Sequence, residues 1–189
     1  MFHIKNDERF LHSSELLYRG LVALMKEKPF EKISYQELSK VSTVSRATIY
    51  RNFDSLEDIL YWKCSTRFAG ILSAYVNADG KDKKKDDFLI HVFRAWSRDS
   101  EVLERLMEIG RIDIIFRCFK ENAHIIMEHM KDEISLTGAA YDYFISIRIG
   151  IFVGVISAWL DHRKEETADQ IVEMMVTQLQ AVEKSAVYF

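Results

Sequence analysis

The sequence contains very little proline, glycine or cysteine. Its 189 residues include one proline, seven glycines and two cysteines. Turns use glycine and proline heavily, so this scarcity argues against a β-rich fold. Cys64 and Cys118 lie far apart and form no CxxC pair, which argues against a disulfide scaffold or a zinc knuckle. We therefore expect an all-α protein of the reducing cytoplasm that needs neither a metal nor a cofactor.

The sequence also lacks a signal peptide, a long uncharged apolar run and a strong excess of one charge. The N-terminal MFHIKNDERF has no apolar centre. The nearest candidate for a membrane span, residues 149–160, is shorter than the roughly 20 residues that a bilayer requires. We therefore expect no membrane partner. The net charge is −3, so any DNA binding must come from a local basic patch.

Hydrophobic periodicity predicts about nine helices and no strand. In the first helix, over residues 7–26, the apolar positions Phe10, Leu17, Leu21 and Leu24 recur at helical spacing. The remaining helices are expected over residues 33–41, 46–52, 55–76, 88–99, 100–107, 113–134, 141–162 and 165–184. Residues 77–87 hold a glycine and eight charged residues, which is typical of a solvated linker.

Residues 33–60 have the pattern of a helix-turn-helix. Ser34 and Glu37 form an S-x-x-E capping box at the start of the short helix over residues 33–41, and a turn is expected at residues 42–44. The second short helix follows over residues 46–52. The apolar positions of the two helices and the turn are spaced to close one small core, and these are Leu38, Val41, Val44 and Ile49.

The second helix of this pair exposes polar groups that suit DNA. Arginine, threonine and asparagine hydrogen-bond base edges or phosphates, and a tyrosine hydroxyl reaches phosphate. Residues 30–53 hold four basic and two acidic side chains, a net charge of +2. The pattern therefore predicts DNA binding by a modest patch that needs two half-sites. A helical hairpin in an ordinary all-α protein is the alternative.

The same segment resembles the tetracycline-repressor-type (TetR/AcrR) regulators. The resemblance rests on KPFEKIS, on VSRATIYRNF at residues 44–53 and on SLEDIL at residues 55–60, and it spans about residues 7–62. It implies an N-terminal three-helix DNA-binding domain over residues 1–54. A larger helical domain for effector binding and dimerisation is implied over residues 55–189.

The resemblance also implies which side chains contact DNA. The start of the recognition helix would face bases, its later residues would contact phosphates or neighbouring bases, and the start of the preceding helix would reach backbone phosphate. Phe53 is expected in the core of the domain. With the helix-capping Ser45, the predicted DNA-binding residues are Ser34, Tyr35, Ser45, Arg46, Ala47, Thr48, Tyr50, Arg51 and Asn52.

Two positions depart from the family pattern. Thr43 stands where the family usually has glycine, and a threonine is strained there if the backbone needs a positive φ. Leu56 stands where the family has a lysine that contacts phosphate, with Lys63 two turns away as a candidate substitute. These departures support an alternative function, a co-regulator that acts through a protein partner with weak or no direct DNA binding.

The helix predicted over residues 141–162 is apolar nearly all round and must be buried on several sides. Gly150 and Gly154 would permit a close approach of another helix. The resemblance implies a homodimer formed by the last two helices, and the alternative is a core helix of a monomer. The predicted interface residues are Ile149, Phe152, Val153, Ile156, Met175 and Leu179.

An effector pocket implied by the resemblance would lie among the helices between residues 60 and 130. These helices contain aromatic side chains that could line a pocket and polar side chains that could bind a ligand. Aromatic residues at helical spacing also suit a hydrophobic core. The predicted pocket residues are His91, Trp96, Met107, Arg111, Phe116 and Phe119.

Motifs of enzymes and metal sites are missing from the sequence. It contains no HExxH, P-loop, GxSxG or GxGxxG after a strand. His124 and His129 are five apart and do not share a helix face. We therefore expect no enzyme. The resemblance implies instead a ligand-responsive repressor that acts as a homodimer on a palindromic operator in double-stranded DNA.

Overall fold

The computed structural model describes residues 8–77, 87–129 and 136–184, and these residues form an all-α fold. They contain nine α-helices and a short 3-10 turn at Phe30–Lys32, without a β-strand. The predicted fold class is therefore confirmed. The helices are α1 (Glu8–Met25), α2 (Tyr35–Ser42), α3 (Arg46–Asn52), α4 (Glu57–Asn77), α5 (Asp87–Arg98), α6 (Glu101–Glu108), α7 (Ile112–His129), α8 (Gly138–Asp161) and α9 (Ala168–Lys184). Most of the predicted linker at 77–87 lies outside the described residues.

The chain divides into two compact units. Unit 1 comprises Met1–Arg67 and Val102–Cys118, and unit 2 comprises Phe68–Glu101 and Phe119–Phe189. Helices α4 and α7 therefore each contribute residues to both units. The predicted boundary after residue 54 falls inside unit 1, which also takes in most of α6 and the start of α7.

The core of unit 1 contains side chains from the apolar faces of α1, α2 and α3. Leu17 and Leu21 of α1, Leu38 of α2, Ile49 of α3 and Phe53 are all fully buried. These residues recur at the spacing that an amphipathic helix requires, so burial of their side chains stabilises the helix-turn-helix.

One predicted core position of unit 1 is wrong. Val41 is 47% exposed, and its neighbour Ser42, which is 4% exposed, lies inside instead. The cause is a close approach of α1 and α2 at Gly20, where an added Cβ would lie 3.0 Å from Cβ of Ser42. Only a small residue fits at this crossing, so α2 turns its serine inward and its valine to solvent.

Unit 2 is built around a cluster of aromatic rings. Phe119 lies 4.1 Å from Phe68 and 4.9 Å from Phe152, measured between ring centroids. Phe93 and Trp96 of α5 complete the cluster, and both are fully buried. Ring pairs at these separations contribute about 0.5–1.5 kcal/mol each beyond the area they bury.

Helix α8 is apolar over most of its length. It has 24 residues, and its mean hydropathy of 1.8 over 18 residues makes it long and apolar enough to cross a membrane, by length and composition alone. The helix begins three residues before the predicted range of 141–162 and ends one residue before that range does, and it contains the uncharged run of residues 149–160. Its buried side chains belong to the core of unit 2, and they are Ile145, Ile149, Phe152, Val153, Ile156 and Trp159.

Candidate nucleic-acid interface

The N-terminus of α2 is fixed by the predicted capping box. The backbone N–H of Glu37 donates to Oγ of Ser34 over 3.3 Å, and the N–H of Ser34 donates to Oε2 of Glu37 over 3.0 Å. The ammonium of Lys28 also donates to Glu37. The bond from Lys28, followed by the bonds from Ser34, lowers the pKa of Glu37 to about 2.

The turn between α2 and α3 holds a threonine in the left-handed region. Thr43 has φ 60° and ψ 11°, a conformation that costs a residue with a Cβ about 1–2 kcal/mol. Hydrogen bonds on both sides hold the turn in place. The Ser42 hydroxyl donates to the Leu38 carbonyl over 2.6 Å and accepts from the Val44 N–H over 3.3 Å. The Ser39 hydroxyl donates to the Val44 carbonyl over 2.7 Å.

Helix α3 begins with a capped turn and is anchored by one buried side chain. Ser45 accepts a hydrogen bond from the N–H of Thr48 over 3.2 Å, so it forms the N-cap. Ile49 is fully buried in unit 1. The anchoring of Ile49 turns the opposite face of the helix to solvent, where the exposed side chains are Ser45, Arg46, Ala47, Tyr50 and Arg51.

Two of the predicted contact residues on α3 are less accessible. Thr48 is half-buried, and its hydroxyl accepts a hydrogen bond from the guanidinium of Arg51 over 3.3 Å. Asn52 is only 6% exposed, so its side chain has little surface to offer to DNA. Asn52 lies three residues after the buried Ile49, so it shares the core-facing side of α3.

Two tyrosines form a pair beside the recognition helix. The rings of Tyr35 on α2 and Tyr50 on α3 lie 4.8 Å apart. Tyr35 is half-buried, and its hydroxyl donates to the backbone carbonyl of Asp54 over 3.3 Å. Burial, followed by the proximity of Tyr50, raises the pKa of Tyr35. Ser34 next to it is exposed, as a contact with phosphate requires.

The second departure from the family pattern, Leu56 with Lys63 as the candidate substitute, has a clear structural outcome. Leu56 is buried in unit 1, where a lysine would not fit without a partner. Lys63 donates to Glu15 of α1 over 2.8 Å and lies 4.9 Å from the ring centroid of Tyr18. Lys63 is therefore engaged with α1, and nothing in its placement makes it a substitute for the missing phosphate contact.

A second capping box lies at the start of α4, where the sequence offers Ser55 as a helix cap with Asp58 in the first turn. The N–H of Ser55 donates to Oδ2 of Asp58 over 3.1 Å, and the N–H of Asp58 donates to the Ser55 hydroxyl over 3.3 Å. This second capping box satisfies backbone N–H groups at the N-terminus of α4. The S-x-x-D spacing of Ser55 and Asp58 was a readable signal for it.

The six predicted pocket residues do not gather within one unit. His91, Trp96 and Phe119 belong to unit 2, whereas the other three belong to unit 1. Arg111 forms a two-pronged ion pair with Asp113 over 2.8 and 2.9 Å. The remaining two, Met107 and Phe116, are half-buried in unit 1. Among the described residues, no three His, Cys, Asp or Glu side chains are grouped to hold a metal ion.

The predicted pocket residues of unit 2 lie in its aromatic core. Trp96 is fully buried, and its indole N–H has no hydrogen-bond partner within the described parts of the chain. Phe119 lies against the rings of Phe68 and Phe152. A ring nitrogen of His91 lies 3.1 Å from the Ile71 carbonyl.

The predicted interface residues of α8 lie in the core of unit 2. Ile149, Phe152, Val153 and Ile156 are all buried, so they have little surface left for a partner chain. Met175 of α9 is buried as well, and the side chain of Leu179 lies outside the described residues. An all-round apolar helix gives no signal in the sequence of which face is internal, and the predicted interface stays a prediction. On α8 and α9, the exposed large apolar residues among those that the structure describes are Tyr143, Ile147, Ile151 and Met174.

The chain resembles known proteins over most of its length. Residues 83–180 match a TetR family model described as Transcriptional regulator C-terminal region. No curated protein matches the chain. The solved structure of Lin0861 from Listeria innocua has a TM-score of 0.82 and 16% identity, and the match covers 95% of this chain and 96% of that chain.

Two further solved structures share the fold. A TetR transcriptional regulator from Streptococcus agalactiae has a TM-score of 0.59 at 18% identity, covering 91% of this chain and 96% of that one. A tetR-family regulator from Streptomyces coelicolor has a TM-score of 0.54 at 13% identity, covering 85% and 76%. At such identities these structures show the fold alone. The family model, however, matches more than half of the chain, and the chain therefore belongs to the TetR family of transcriptional regulators.

Proposed function

We propose that this chain is a cytoplasmic repressor that binds a palindromic operator as a homodimer and releases it when an effector binds. The family is one of transcriptional regulators rather than enzymes, which gives the general function. Operator recognition, dimerisation and effector response are the finer parts of the proposal. The N-terminal domain of residues 1–54 would bind DNA, and residues 55–189 would serve the other two roles.

The exposed face of α3 is the observation that carries the DNA-binding part. It presents Arg46, Tyr50 and Arg51 to solvent, while Ile49 anchors the opposite face in unit 1. A short helix that is rigidly seated and exposes two arginines matches the recognition helix of a helix-turn-helix. Arg46 and Ala47, in the first turn, would reach base edges, and Arg51, Tyr50 and Ser34 would contact phosphates.

The exposed side of α8 supports the homodimer. Ile147, Ile151 and Tyr143 are 59%, 38% and 71% exposed, and Gly150 and Gly154 lie on the same side of the helix. Exposed apolar side chains next to glycines allow a second helix to approach closely and cover them. A second copy of this chain is the occupant that we propose, because TetR-family regulators usually dimerise.

The aromatic core of unit 2 is the place that we propose for the effector. A buried indole N–H without an acceptor costs about 1–3 kcal/mol, and Trp96 carries such a group. An effector with one acceptor atom and an apolar body would satisfy that donor. Because the rings are closely packed, it would have to displace one of them, which gives binding a means to shift the conformation.

A fluorescence-anisotropy titration tests the proposal. The protein is added to labelled DNA from upstream of its own gene and to scrambled DNA, at several salt concentrations. We expect selective binding that weakens steeply with salt, because a protein that neutralises several phosphates releases their counterions. Light scattering on the same samples should give the mass of a dimer.

The same titration distinguishes the proposed repressor from the alternative, a co-regulator that acts through a protein partner. The burial of Leu56 and the engagement of Lys63 with Glu15 leave this chain with fewer phosphate contacts than the family pattern. A co-regulator that works through a protein partner would show weak binding at every salt concentration. An Ile147→Glu variant that remained a dimer would separately overturn the proposed α8 interface.

A further inference from the structure

The exposed face of α3 carries few kinds of chemical group. The seven residues of the helix, RATIYRN, include no aspartate, glutamate or glutamine, and their one amide side chain belongs to Asn52. Asn52 is buried with Ile49 on the core-facing side of the helix, so this amide is withdrawn from the surface. The exposed side chains of α3 are those of Arg46, Ala47, Tyr50 and Arg51.

The edges of different bases in the major groove require different side chains. Arginine forms two hydrogen bonds with O6 and N7 of guanine, asparagine or glutamine pairs with adenine, and a carboxylate accepts from the amino group of cytosine. A small apolar side chain contacts the methyl group of thymine. Because α3 exposes neither an amide nor a carboxylate, it has no group that selects adenine or cytosine directly.

The hydroxyl groups at the start of α3 are engaged within the helix. Oγ of Ser45 accepts the N–H of Thr48 over 3.2 Å and lies 3.0 Å from Oγ1 of Thr48. Oγ1 of Thr48 also accepts from the guanidinium of Arg51 over 3.3 Å. A free hydroxyl can both donate and accept, so it discriminates poorly between bases in any case. Base selection by α3 therefore depends on its arginines and its alanine.

The two arginines of α3 have different surroundings. Arg51, in the last turn, is bonded to Thr48, whereas Arg46 is the first residue of the helix and forms no ion pair with any described residue. The N-terminal residues of a recognition helix are the ones that contact base edges. The guanidinium of Arg46 is therefore available to a base, and Arg51 suits a phosphate.

Ala47 and Tyr50 complete the exposed face. Ala47 follows Arg46 in the first turn and offers only a methyl group. The ring of Tyr50 lies 4.8 Å from that of Tyr35 on α2, the helix that crosses the DNA backbone in this motif. The hydroxyl of Tyr50 therefore suits a phosphate, and Ala47 remains as the second group of α3 that distinguishes bases.

We propose that Arg46 binds a guanine and that Ala47 contacts the methyl group of a thymine in a neighbouring base pair. Each half-site of the operator then contains this guanine and this thymine, and α3 selects no adenine or cytosine directly. Arg51 and Tyr50 hold the helix on the backbone without a preference for sequence. The inference rests on the proposed function and adds to it the bases that the operator must offer.

The first experiment selects bound duplexes from a pool of DNA with a randomised centre, using the full-length protein. We expect the enriched half-sites to share a guanine beside a thymine. Replacing that guanine by 7-deazaguanine, which lacks the N7 acceptor, should weaken binding about tenfold. Replacing the thymine by uracil should weaken binding about fourfold, as the loss of one buried methyl group implies. An unchanged affinity for the uracil duplex would overturn the assignment of Ala47.

Variants of α3 assign the guanine contact to one residue. Arg46→Ala should bind the guanine and 7-deazaguanine duplexes equally. Arg51→Ala is the matched control on the same helix, and it should weaken binding to both duplexes while keeping the tenfold preference of about one guanine contact, because phosphate contacts carry no sequence information. Both substitutions are at exposed sites, so we expect both variants to fold.

The outcomes separate this inference from the function on which it rests. Enriched half-sites without a guanine, or a full preference for guanine in Arg46→Ala, would overturn the base assignment and leave DNA binding established. A pool that shows no enrichment of any sequence would overturn the proposed operator recognition itself, and the base assignment with it.

Discussion

The helix-turn-helix of unit 1 and helix α8 of unit 2 show how differently a hydrophobic pattern constrains a structure. In α2 and α3 the apolar positions occupy one side, and Leu38 and Ile49 are both fully buried. In α8 apolar residues occupy every side, and Ile156 is buried while Ile147, in the same helix, is exposed. A pattern predicts orientation only when the opposite face is polar.

The same difference has a functional meaning. The polar face of α3 is exposed to solvent because the opposite, apolar face packs in the core of unit 1. The exposed face of α8 is apolar, so it requires a cover that the single chain does not provide among its described residues. We interpret the first as a surface for a charged polymer and the second as a surface for another copy of the chain.

The largest expected effect comes from comparing the two sides of α8. Ile156→Ala removes a fully buried side chain and should lower the free energy of unfolding by about 2–5 kcal/mol. Ile151→Ala, at a site that is 38% exposed, should lower it by less than about 1 kcal/mol. Urea unfolding followed by circular dichroism measures both. Equal losses of unfolding free energy in the two variants would contradict the burial of Ile156 and the exposure of Ile151.

The next effect concerns the exposed face of α3. Arg46→Ala should weaken operator binding by about 1–3 kcal/mol if Arg46 contacts a base or a desolvated phosphate. Arg98→Ala, at an exposed arginine on α5, is the matched control and should leave the affinity unchanged. Fluorescence-anisotropy titrations of both folded variants measure their affinity for the operator. A normal affinity for Arg46→Ala would remove Arg46 from the contact surface.

A third effect concerns the crossing of α1 and α2. Gly20→Ala adds a Cβ that would lie 3.0 Å from Cβ of Ser42 and 3.2 Å from its Cα and N. Backbone atoms cannot move aside without separating the helices, so we expect a loss of about 1–3 kcal/mol in stability. Gly70→Ala on α4 is the control, because its Cβ would meet nothing within 4 Å. Thermal unfolding of both variants gives the comparison.

These cases show how much of the molecule could be predicted from the sequence. The fold class, the capping box at Ser34 and the burial of Phe53 follow from local patterns, and all three were predicted. Val41 was misplaced because the crossing at Gly20 depends on a contact between two helices. Asn52 was expected at the surface because it is polar, although its position three residues after Ile49 places it on the core-facing side of α3.

The pocket and interface residues were harder to predict from the sequence than the helix-turn-helix, for a physical reason. Phe119 and Trp96 have helical spacing, and a core and a pocket require the same spacing. The sequence also gives no sign that α4 and α7 each pass from one unit to the other. Phe116 and Phe119 lie three residues apart on α7 but belong to different units, so the predicted pocket stays a prediction.

A smaller effect is expected at the turn before α3. Thr43→Gly removes the steric cost of a β-branched residue at φ 60° but adds flexibility to the unfolded chain. The two effects oppose each other, so we expect a net gain of about 0.5–1 kcal/mol in stability. Thr43→Val keeps the branching and loses the hydroxyl that donates to the Ser42 carbonyl, so it should destabilise the domain. A loss of stability in the glycine variant would show that the turn is not strained.

The smallest effect is the dependence of stability on pH at the start of α2. The pKa of Glu37 is about 2 in the folded protein against an ordinary value of 4.5, because the carboxylate accepts bonds from Lys28 and Ser34. A lowered folded-state pKa stabilises the protein above the unfolded value, and that contribution is lost as the pH falls from 4.5 towards 2. Glu37→Gln should therefore show a flatter dependence of Tm on pH over this interval. Lys28→Met removes the largest cause of the shift while keeping the carboxylate, so its loss of stability should be smaller than in the parent protein and should be complete at a higher pH. Parallel profiles for all three proteins would mean that the Lys28–Glu37 contact does not persist in solution.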